Sequence, residues 1–367
     1  MIYIGYAILF LGFIRLLVSM VNLLTNVYLP QDIHIENHPK VSILIPVRNE
    51  EANIGKLLLD IENLSYPNYE VIVYNDCSTD NTVNIVKQAM HNNSNITLIE
   101  GGELENGWLG KNFACHNLAL KATGEYFLFL DADVRVKHQL IEQSVYLMKK
   151  QKLKLLSIFP KQIISNKETL LAIPLMNWIL LSLLPLILIR WSSWTSFSAA
   201  NGQFMFFEAQ AYKQLLPHSI HKANKVEDIA ICRYYKKSRM RVSTILGNED
   251  IQCKMYNTLD ESMDGFSKNI FDFFGGSIVT GLLFAAFTTF APLLLYFSLG
   301  IYASAIYICS IILIRIFVSK ASKQSISDNI LYMLAQHFIF LKIICIALLH
   351  RKRKSLTWKD RYVFIKQ

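Results

Sequence analysis

Acidic residues stand directly after three apolar runs of the sequence, in a pattern typical of a site for a charged ligand. Asp131-Ala-Asp133 follows the run that ends at Leu130, Asp76 follows a second run, and Glu50 follows a third. Carboxylates that gather in one place repel one another unless a cation or a donor-rich ligand lies among them. An Asp-x-Asp pair suits a hard divalent cation, which takes carboxylate oxygen and keeps positions open for phosphate. Asp76 suits hydrogen bonds to a base or a ribose.

A Gly-Lys pair between these acidic positions favours a phosphate ligand. Gly107-Trp-Leu-Gly-Lys111 begins a predicted helix, where backbone N–H groups and a lysine attract phosphate. A nucleoside diphosphate with a metal ion meets all of these requirements. Each cluster also has an ordinary explanation when it is taken alone. Asn49 and Asp80 suit helix N-caps, Asn75-Asp76 suits a turn, and Asp-x-Asp pairs occur by chance.

The elements that must position these residues are alternating strands and helices. β-Branched and apolar runs predict four strands, and the segments between them have helical spacing. This alternation predicts βαβ units and a mostly parallel sheet, in which ligands gather beyond the carboxyl ends of the strands. The predicted strands are Val41–Val47, Tyr69–Tyr74, Ile96–Ile99 and Glu125–Leu130, and the predicted helices are Glu50–Asp60, Asn81–Met90 and Lys111–Thr123.

Outside this α/β region the sequence is apolar in blocks. Of the 367 residues, 52% are hydrophobic and 18% are charged, with a mean hydropathy of +0.29, which excludes a disordered chain or a coiled coil. Residues 1–30 carry one charge, Arg15, and predict an uncleaved N-terminal anchor; a buried amphipathic helix is the alternative. Phe273–Ile314 has 42 residues without Asp, Glu, Lys or Arg. At about 1.5 Å per residue, that length allows two crossings of a ~30 Å hydrocarbon core.

Two further apolar blocks are interpreted as membrane-associated elements. Thr169–Ile189 is 21 residues without a charge, but it contains Pro174 and Pro185 and lies between acidic motifs that must share one site. A crossing would separate those motifs, so an amphipathic or re-entrant element on the membrane is expected. Asn329–Leu349 contains Lys342 and is a weaker span. We expect an interfacial or re-entrant segment there, because a third span after the domain would place the basic C-terminus outside.

The charge balance favours a membrane surface as partner. There are 37 Lys and Arg residues against 28 Asp and Glu, a net charge of +9, and the basic residues are scattered beside apolar blocks. The anionic cytoplasmic leaflet is the expected partner of the run His350–Lys354, and no nucleic acid is expected. We therefore expect a multi-pass protein of the cell membrane with its catalytic domain in the cytoplasm. Six cysteines without a C-x-x-C pair, Cys253 among them, are expected to be reduced and to pack as small hydrophobic residues.

Six motifs, in their order and spacing, resemble glycosyltransferase family 2. The resemblance covers residues 41–270, and the flanking segments are similar to those of membrane-bound, lipid-modifying members, in particular the carotenoid (diaponeurosporenoate-type) and hopene-associated glycosyltransferases. The motifs are Pro46-x-x-Asn-Glu50, Asn75-Asp-x-Ser-x-Asp80, Gly110-Lys111, Asp131-Ala-Asp133, Asn201-Gly-Gln203 and Glu227-Asp228.

The resemblance implies an inverting sugar transferase with a GT-A (Rossmann-like) fold. The implied donor is a nucleotide-sugar, with a UDP-sugar expected, the implied cofactor is Mg²⁺ or Mn²⁺, and the implied acceptor is a carotenoid, a terpenoid or another lipid. Carried over position by position, Pro46 would belong to the nucleotide-sugar site, and Glu50 and Asp76 would contact the nucleoside. Lys111 and Asp131 would help to hold the nucleotide, Asp133 would bind the metal, and Asp228 would be the catalytic base.

The resulting layout has four parts. They are an anchor at 1–30, a GT-A domain at 40–270 that includes the membrane-associated element 169–189, a C-terminal membrane region of two to three helices at 271–350, and a basic cytoplasmic tail at 351–367.

Departures from the family pattern help to distinguish a single-transfer enzyme from a polysaccharide synthase. Processive polysaccharide synthases carry Gln-x-x-Arg-Trp, whereas this chain has Gln252-Cys-Lys-Met-Tyr256, which favours a single transfer over polymerisation. Lys254 stands where related lipid-type members are expected to have arginine, and because lysine lacks the bidentate fork, any phosphate role there is weakened. A non-catalytic scaffold is a further alternative. It is disfavoured because a scaffold has no use for clustered carboxylates.

The reacting group of the acceptor stays open at this point. A carboxylic acid with a pKa of ~4–5 is already ionised at neutral pH and hardly needs a base. An alcohol does need one. The presence of Asp228 in the base motif therefore favours a hydroxyl acceptor over a carboxylate.

Overall fold

The protein is described here by a computed structural model, which covers residues 1–25, 28–31, 33–353, 357–358 and 361–362. The chain divides into two compact units. The helical unit consists of Met1–Asn26, Ile164–Leu186 and Met255–Leu356. The sheet unit consists of Val27–Ile163, Ile187–Lys254 and Thr357–Gln367. The predicted tail 351–367 lies mostly outside the described residues.

The described elements are twelve strands and fifteen α-helices, together with short 3₁₀ helices at Thr169–Leu171 and Ile270–Phe274. The strands are β1 (Val41–Val47), β2 (Tyr69–Asn75), β3 (Ile96–Glu100), β4 (Tyr126–Leu130), β5 (Val134–Val136), β6 (Leu155–Phe159), β7 (Lys161–Gln162), β8 (Phe204–Glu208), β9 (Val242–Leu246), β10 (Ile251–Cys253), β11 (Thr357–Trp358) and β12 (Arg361–Tyr362). The helices are α1 (Ile2–Leu24), α2 (Ile54–Glu62), α3 (Thr82–Asn92), α4 (Gly110–Lys121), α5 (Leu140–Gln151), α6 (Pro174–Leu183), α7 (Ile187–Trp191), α8 (Ala209–Leu215), α9 (Pro217–Ile220), α10 (Glu227–Lys237), α11 (Leu259–Asn269), α12 (Ile278–Leu299), α13 (Ile301–Ala321), α14 (Ile326–Leu331) and α15 (Met333–Arg353).

A seven-stranded sheet with the order β3-β2-β1-β4-β8-β6-β9 forms the centre of the sheet unit. Strands β1 to β4 run parallel to one another, with Val41 opposite both Tyr69 and Tyr126. Strand β8 runs antiparallel to both of its neighbours, β4 and β6. The predicted α/β class and mostly parallel sheet are therefore confirmed. The apolar strands fit this place, because a strand that is covered on both faces buries every side chain.

The four predicted strands are confirmed within one residue at each end, but the first predicted helix begins later than expected. Helix α2 begins at Ile54 rather than at Glu50. Residues 51–53 form turns before it, and Asn49, with a φ of 52°, lies in the left-handed region just before this segment. The residues between β1 and α2 form a loop instead. In the resemblance, this loop carries Glu50, one of the two nucleoside contacts.

Among its described residues, the helical unit holds four helices that are long and apolar enough to cross a membrane: α1, α12, α13 and α15. Helix α1 packs against α13 at Gly12, where a Cβ would lie 2.8 Å from the ring of Tyr307, so only glycine permits this approach. Helix α15 is continuous over Met333–Arg353, a single helix in the region where an interfacial or re-entrant segment was expected. The number of crossings and the side of the C-terminus remain predictions.

The apolar helical part of the element predicted at 169–189 covers Thr169–Leu183 and is shorter than the candidate spans. The element is broken into a 3₁₀ turn, α6 and α7, with Pro185 in the last break. Residues 174–182 of α6 are all buried, which departs from the amphipathic alternative, and the re-entrant alternative stays a prediction. Asn22 of α1 explains part of this burial, because its amide donates to the carbonyls of Leu181 and Leu184 and accepts from the N–H of Leu186. These bonds satisfy backbone groups at the end of α6 that would otherwise lack partners.

Candidate active site

The loops after β1 and β2 are joined by hydrogen bonds that place Glu50 and Asp76. The Asn49 side chain accepts a bond from the N–H of Thr79 at 2.8 Å, and the N–H of Glu50 donates to Thr82 Oγ1 at 2.8 Å. The N–H of Asp76 donates to the carbonyl of Val47 at 2.8 Å, and Asp76 is only 5% exposed. The two predicted nucleoside contacts are therefore held on adjoining loops at the carboxyl edge of the sheet. Pro46 lies within β1 beside them.

Asp80, which belongs to the same motif, has a structural part. Its carboxylate accepts from the N–H of Glu51 at 3.1 Å and from the N–H of Thr82 at 3.0 Å. Burial opposes ionisation of this carboxyl, but the bonds from Thr82 and Glu51 outweigh it and lower the pKa of Asp80. Asp80 thus joins the start of α3 to the β1 loop, close to the N-cap function that is ordinary for this residue type.

Lys111 joins two carboxylates in the middle of the sheet edge. Its Nζ lies 2.8 Å and 2.9 Å from the two carboxylate oxygens of Asp131 and 3.5 Å from Oε1 of Glu227. Burial lowers the pKa of Lys111, but the charges of Asp131 and Glu227 outweigh burial and hold it well above its usual range. The ammonium group is therefore a fixed positive charge at the first turn of α4. A diphosphate needs such a charge.

Asp133 contacts Gln203, in the loop before β8, and Cys253 of β10. Its Oδ2 lies 3.3 Å from the amide nitrogen of Gln203 and 3.4 Å from Sγ of Cys253. Cys253 reaches it because β10 pairs with β5, which places Cys253 opposite Val134, the residue after Asp133. Burial, together with the charges of Asp131 and Glu50, raises the pKa of Asp133 to about 6. The carboxylate is thus held in a place where its ionised form needs a positive partner.

The fit of a divalent cation can be judged at Asp133. Within the part of the chain that the structure describes, its Oδ1 is buried and has no hydrogen-bond partner. A cation would satisfy this oxygen and offset the repulsion from Asp131, so the residues present fit a metal. The same described residues contain no group of three His, Cys, Asp or Glu side chains that could hold a metal by themselves. The other ligands would be phosphate oxygens and water, as is usual for Mg²⁺.

Asp228 stands at the first turn of α10 with its carboxylate held in place by backbone donors. The N–H of Gly202 donates to Oδ2 at 2.9 Å, and the N–H of Ile229 donates to Oδ1 at 2.7 Å. Burial, and after it the charge of Glu227, raises the pKa of Asp228 to about 7. A carboxyl group with a pKa near the working pH is well suited to general base catalysis.

The structure brings all seven predicted site residues to one edge of the sheet unit, at the carboxyl ends of β1, β2 and β4 or beside them. Four further residues complete the arrangement without having been predicted as site residues: Gly202, Gln203, Glu227 and Cys253. The motifs Asn201-Gly-Gln203 and Glu227-Asp228 already contained the signal for the first three. Cys253 was interpreted as a packing thiol, and no local pattern marks it as a neighbour of Asp133.

Comparison with known proteins gives the same family as the motifs. Residues 42–189 match the family model described as Glycosyl transferase family 2. A 4,4'-diaponeurosporenoate glycosyltransferase of Staphylococcus haemolyticus is 23% identical over 244 residues, which are 64% of this chain and 62% of that protein. The enzyme of the same name from Staphylococcus aureus strain USA300 is 36% identical over 98 residues, which are 27% of this chain and 25% of that protein. The predicted resemblance to glycosyltransferase family 2 is thereby confirmed.

A solved structure confirms the fold. A mannosyltransferase from Pyrobaculum calidifontis, in complex with GDP-Man and Mn²⁺, superposes with a TM-score of 0.55 at 15% sequence identity. The superposition covers 96% of this chain and 99% of that one. The predicted GT-A fold, with apolar helices at the N-terminus and toward the C-terminal end, is therefore confirmed. The chain matches less than two thirds of the length of these sequence relatives.

Proposed function

We propose that this protein is an inverting glycosyltransferase that moves a single sugar from a nucleotide-sugar to an apolar membrane acceptor. One observation carries this proposal. Two consecutive residues, Gly202 and Gln203, hold the base Asp228 and the metal ligand Asp133, so both groups are held by one short loop. An inverting transfer needs a base for the acceptor and a positive charge for the leaving group at one site.

The donor is held by the predicted nucleotide residues. Glu50 and Asp76 face the nucleoside from the loops after β1 and β2, beside Pro46, and Lys111 supplies positive charge for the diphosphate. Asp131 keeps Lys111 in position through its two contacts. A divalent cation, Mg²⁺ or Mn²⁺, would bind at Asp133 and neutralise charge on the leaving diphosphate. The donor is proposed to be a UDP-sugar; the solved mannosyltransferase holds GDP-Man, so both nucleotides belong in the assay.

The transfer step is a single in-line displacement. Asp228 takes the proton of the acceptor hydroxyl while that oxygen forms a bond to C1 of the sugar, and the bond from C1 to the diphosphate oxygen breaks. The configuration at C1 inverts, and the nucleoside diphosphate leaves with the electron pair. The raised pKa of Asp228 makes its ionised form a stronger base than an ordinary carboxylate. Lys111 offsets charge on the leaving group.

The acceptor is proposed to be a lipid. Its reacting group is either a hydroxyl or a carboxylate. The curated relatives are named for diaponeurosporenoate, which is a carboxylate. The base Asp228 favours a hydroxyl, since a carboxylate acceptor is already ionised. Asp228→Asn separates the cases: transfer to a hydroxyl falls strongly, whereas transfer to a carboxylate survives.

Membrane attachment follows from the helical unit. Its four long apolar helices support association with the membrane. We propose that the protein is a multi-pass protein of the cell membrane with its sheet unit in the cytoplasm, where nucleotide-sugars are made. Single-cysteine labelling of an exposed residue of the sheet unit, in sealed cells and in inverted vesicles, tests the orientation. Labelling from outside in sealed cells would contradict it.

The central test is a transfer assay with the purified full-length protein, UDP- and GDP-sugars and a lipid extract. Asp133→Ala and Asp228→Asn are compared with Glu62→Gln, a matched loss of an exposed carboxylate at the end of α2. We expect lipid glycosylation by the wild type and by the control, and loss with Asp133→Ala. Turnover that is unchanged in both site variants would refute the assigned site.

Two alternatives lead to different products in the same assay. A processive polysaccharide synthase would give products of many sugars, which mass spectrometry or a gel distinguishes from a single addition. A non-catalytic scaffold would show no turnover, and calorimetry would detect no binding of a nucleoside diphosphate with Mn²⁺. Either result would replace the proposed function.

A further inference from the structure

Two arginine side chains are buried in the helical unit beside one tryptophan. Arg15 of α1 is 6% exposed, and Arg315 of α13 is 3% exposed. The Cζ of Arg15 lies 5.3 Å from the ring centroid of Trp178, and the Cζ of Arg315 lies 4.6 Å from the same centroid. Two cations therefore share one aromatic partner, on α6, inside a unit whose long helices expose mainly apolar side chains.

The remaining partners of both guanidinium groups are neutral. Arg15 donates to Ser182 Oγ at 3.1 Å, lies 4.9 Å from the ring centroid of Phe284 and interacts with the uncharged phenol of Tyr307. Arg315 donates to the side-chain oxygen of Gln336 at 2.8 Å. Within the described parts of the chain, neither group forms an ion pair with a carboxylate. The Nε of each is also buried there without an acceptor. The cluster thus has two positive charges, unused donors and no negative charge.

Such an arrangement is electrostatically incomplete. A guanidinium group keeps its proton in proteins, so neither charge is removed by deprotonation. Two like charges repel strongly in an apolar interior, and charged residues within membrane segments are normally paired. Contacts with aromatic faces and neutral oxygens offset part of this cost. What the cluster lacks is an anion, and the planar donor fork of arginine matches the oxygens of phosphate and carboxylate groups.

We propose that Arg15 and Arg315 form a binding site for the oxyanion headgroup of a lipid. A free inorganic anion would have to leave water to reach a buried position, and attraction to the two guanidinium groups offsets only part of that cost. A lipid brings the same anion on an apolar tail, which the exposed apolar side chains of the long helices can accept. All residues of this cluster belong to the helical unit. The site therefore lies outside the sheet unit, to which the proposed transfer reaction belongs.

The shared chemistry of the headgroup is a phosphate or a carboxylate, and matched lipids distinguish the two. Full-length protein in a neutral detergent is titrated with dioleoyl phosphatidylglycerol and with oleate, and binding is followed by native mass spectrometry and by the rise in Tm. Dioleoylglycerol and oleyl alcohol serve as controls, because they keep the tails and lack the anion. We expect each charged lipid that fits to bind between about tenfold and a hundredfold more tightly than its uncharged partner.

Variants connect this preference to the two arginines. Arg15→Gln and Arg315→Gln are expected to reduce the preference for the charged lipid about tenfold or more each. Lys342→Gln is the matched control, since it removes one positive charge from an exposed position of α15 in the same unit and is expected to change nothing. If a glutamine variant fails to fold, Arg315→Lys takes its place. Lysine keeps the charge but loses the fork, so binding should be weaker than in the wild type.

A purely structural role of the cluster gives other results. In that case the arginine variants lower Tm, but charged and uncharged lipids bind the wild type equally well, or the preference for charge is unchanged in the variants. Either result would overturn the proposed site. Inorganic phosphate that binds as tightly as the charged lipids would overturn the assignment to a lipid.

Discussion

The backbone N–H of Gly202 donates a hydrogen bond of 2.9 Å to Oδ2 of Asp228. The next residue, Gln203, directs its amide to Asp133 at 3.3 Å. The loop that carries both residues leads directly into β8, which is fixed between β4 and β6 in the sheet. The sheet therefore sets the positions of the proposed base and of the proposed metal ligand through one loop.

Replacing Gly202 by alanine should reduce turnover without unfolding the protein. A Cβ at this position would lie 3.1 Å from Nζ of Lys111 and 3.3 Å from Oε1 of Glu227. Both atoms are the ends of flexible side chains, so they can move away, but in doing so they leave their positions at the site. We expect Gly202→Ala to lower kcat by about ten- to a hundredfold, because small displacements of catalytic groups are costly.

The matched control for this variant is Gly102→Ala. A Cβ at Gly102 would meet no atom within 4 Å. Steady-state kinetics and Tm are measured for both variants. Equal activity of Gly202→Ala and the wild type would show that the loop does not set the geometry of the site.

The activity should depend on the ionisation of Asp228. Its pKa is raised to about 7, so the carboxyl is protonated below that pH and cannot accept a proton. For a hydroxyl acceptor, kcat/KM should therefore fall as pH decreases below about 7 and level off above it. Asp228→Asn should lose roughly 10²–10⁴-fold in kcat and lose this pH limb. Measuring kcat/KM against pH for the wild type and for Asp228→Asn tests whether activity falls at low pH only when the carboxylate is present. A carboxylate acceptor would instead give a profile without the limb and a nearly active Asp228→Asn.

Glu227 should control the pH below which kcat/KM falls. Burial is the larger cause of the raised pKa of Asp228, and the charge of Glu227 is the next. Glu227→Gln removes the charge and leaves the burial, so the pKa of Asp228 should decrease and the limb should move to lower pH, by about one unit or less. The same pH profile measures the shift. Glu62→Gln, which removes a distant exposed carboxylate, should leave the limb in place, and a limb that moves to higher pH in Glu227→Gln would contradict the assignment.

The sequence was sufficient for the strands that end at the site. Strands β1, β2 and β4 are short apolar runs followed by polar residues, and this contrast is a local signal of a buried strand. Strand β8 has no such signal for its place, because its position in the middle of the sheet depends on pairing with β4 and β6. The order of the motifs along the chain therefore predicted a shared site. It could not predict that the loop before β8 joins Asp133 to Asp228.

The local sequence around Cys253 could not identify it as a neighbour of Asp133. As a lone cysteine it is typical of packing, and its burial agrees with that interpretation. Its Sγ nevertheless lies 3.4 Å from Oδ2 of Asp133, since β10 pairs with β5 more than a hundred residues earlier in the chain. Pairings at this separation are decided by tertiary packing, and no sequence spacing records them.

Nucleotide binding should depend on a divalent cation through Asp133. In the described structure, Oδ1 of Asp133 is buried without a hydrogen-bond partner. Asparagine keeps the shape of this side chain and removes its charge, so we expect the fold to be preserved and the attraction for a cation to be lost. Isothermal calorimetry is carried out with UDP and with GDP, with Mn²⁺ and after chelation. For the wild type and for Glu62→Gln, we expect chelation to raise Kd between about tenfold and a hundredfold. For Asp133→Asn, Kd should already be high, and chelation should change it little.

This measurement needs no acceptor, so it separates the donor site from the identity of the lipid. Binding by Asp133→Asn that is as tight and as Mn²⁺-dependent as that of the wild type would mean that the metal is held elsewhere.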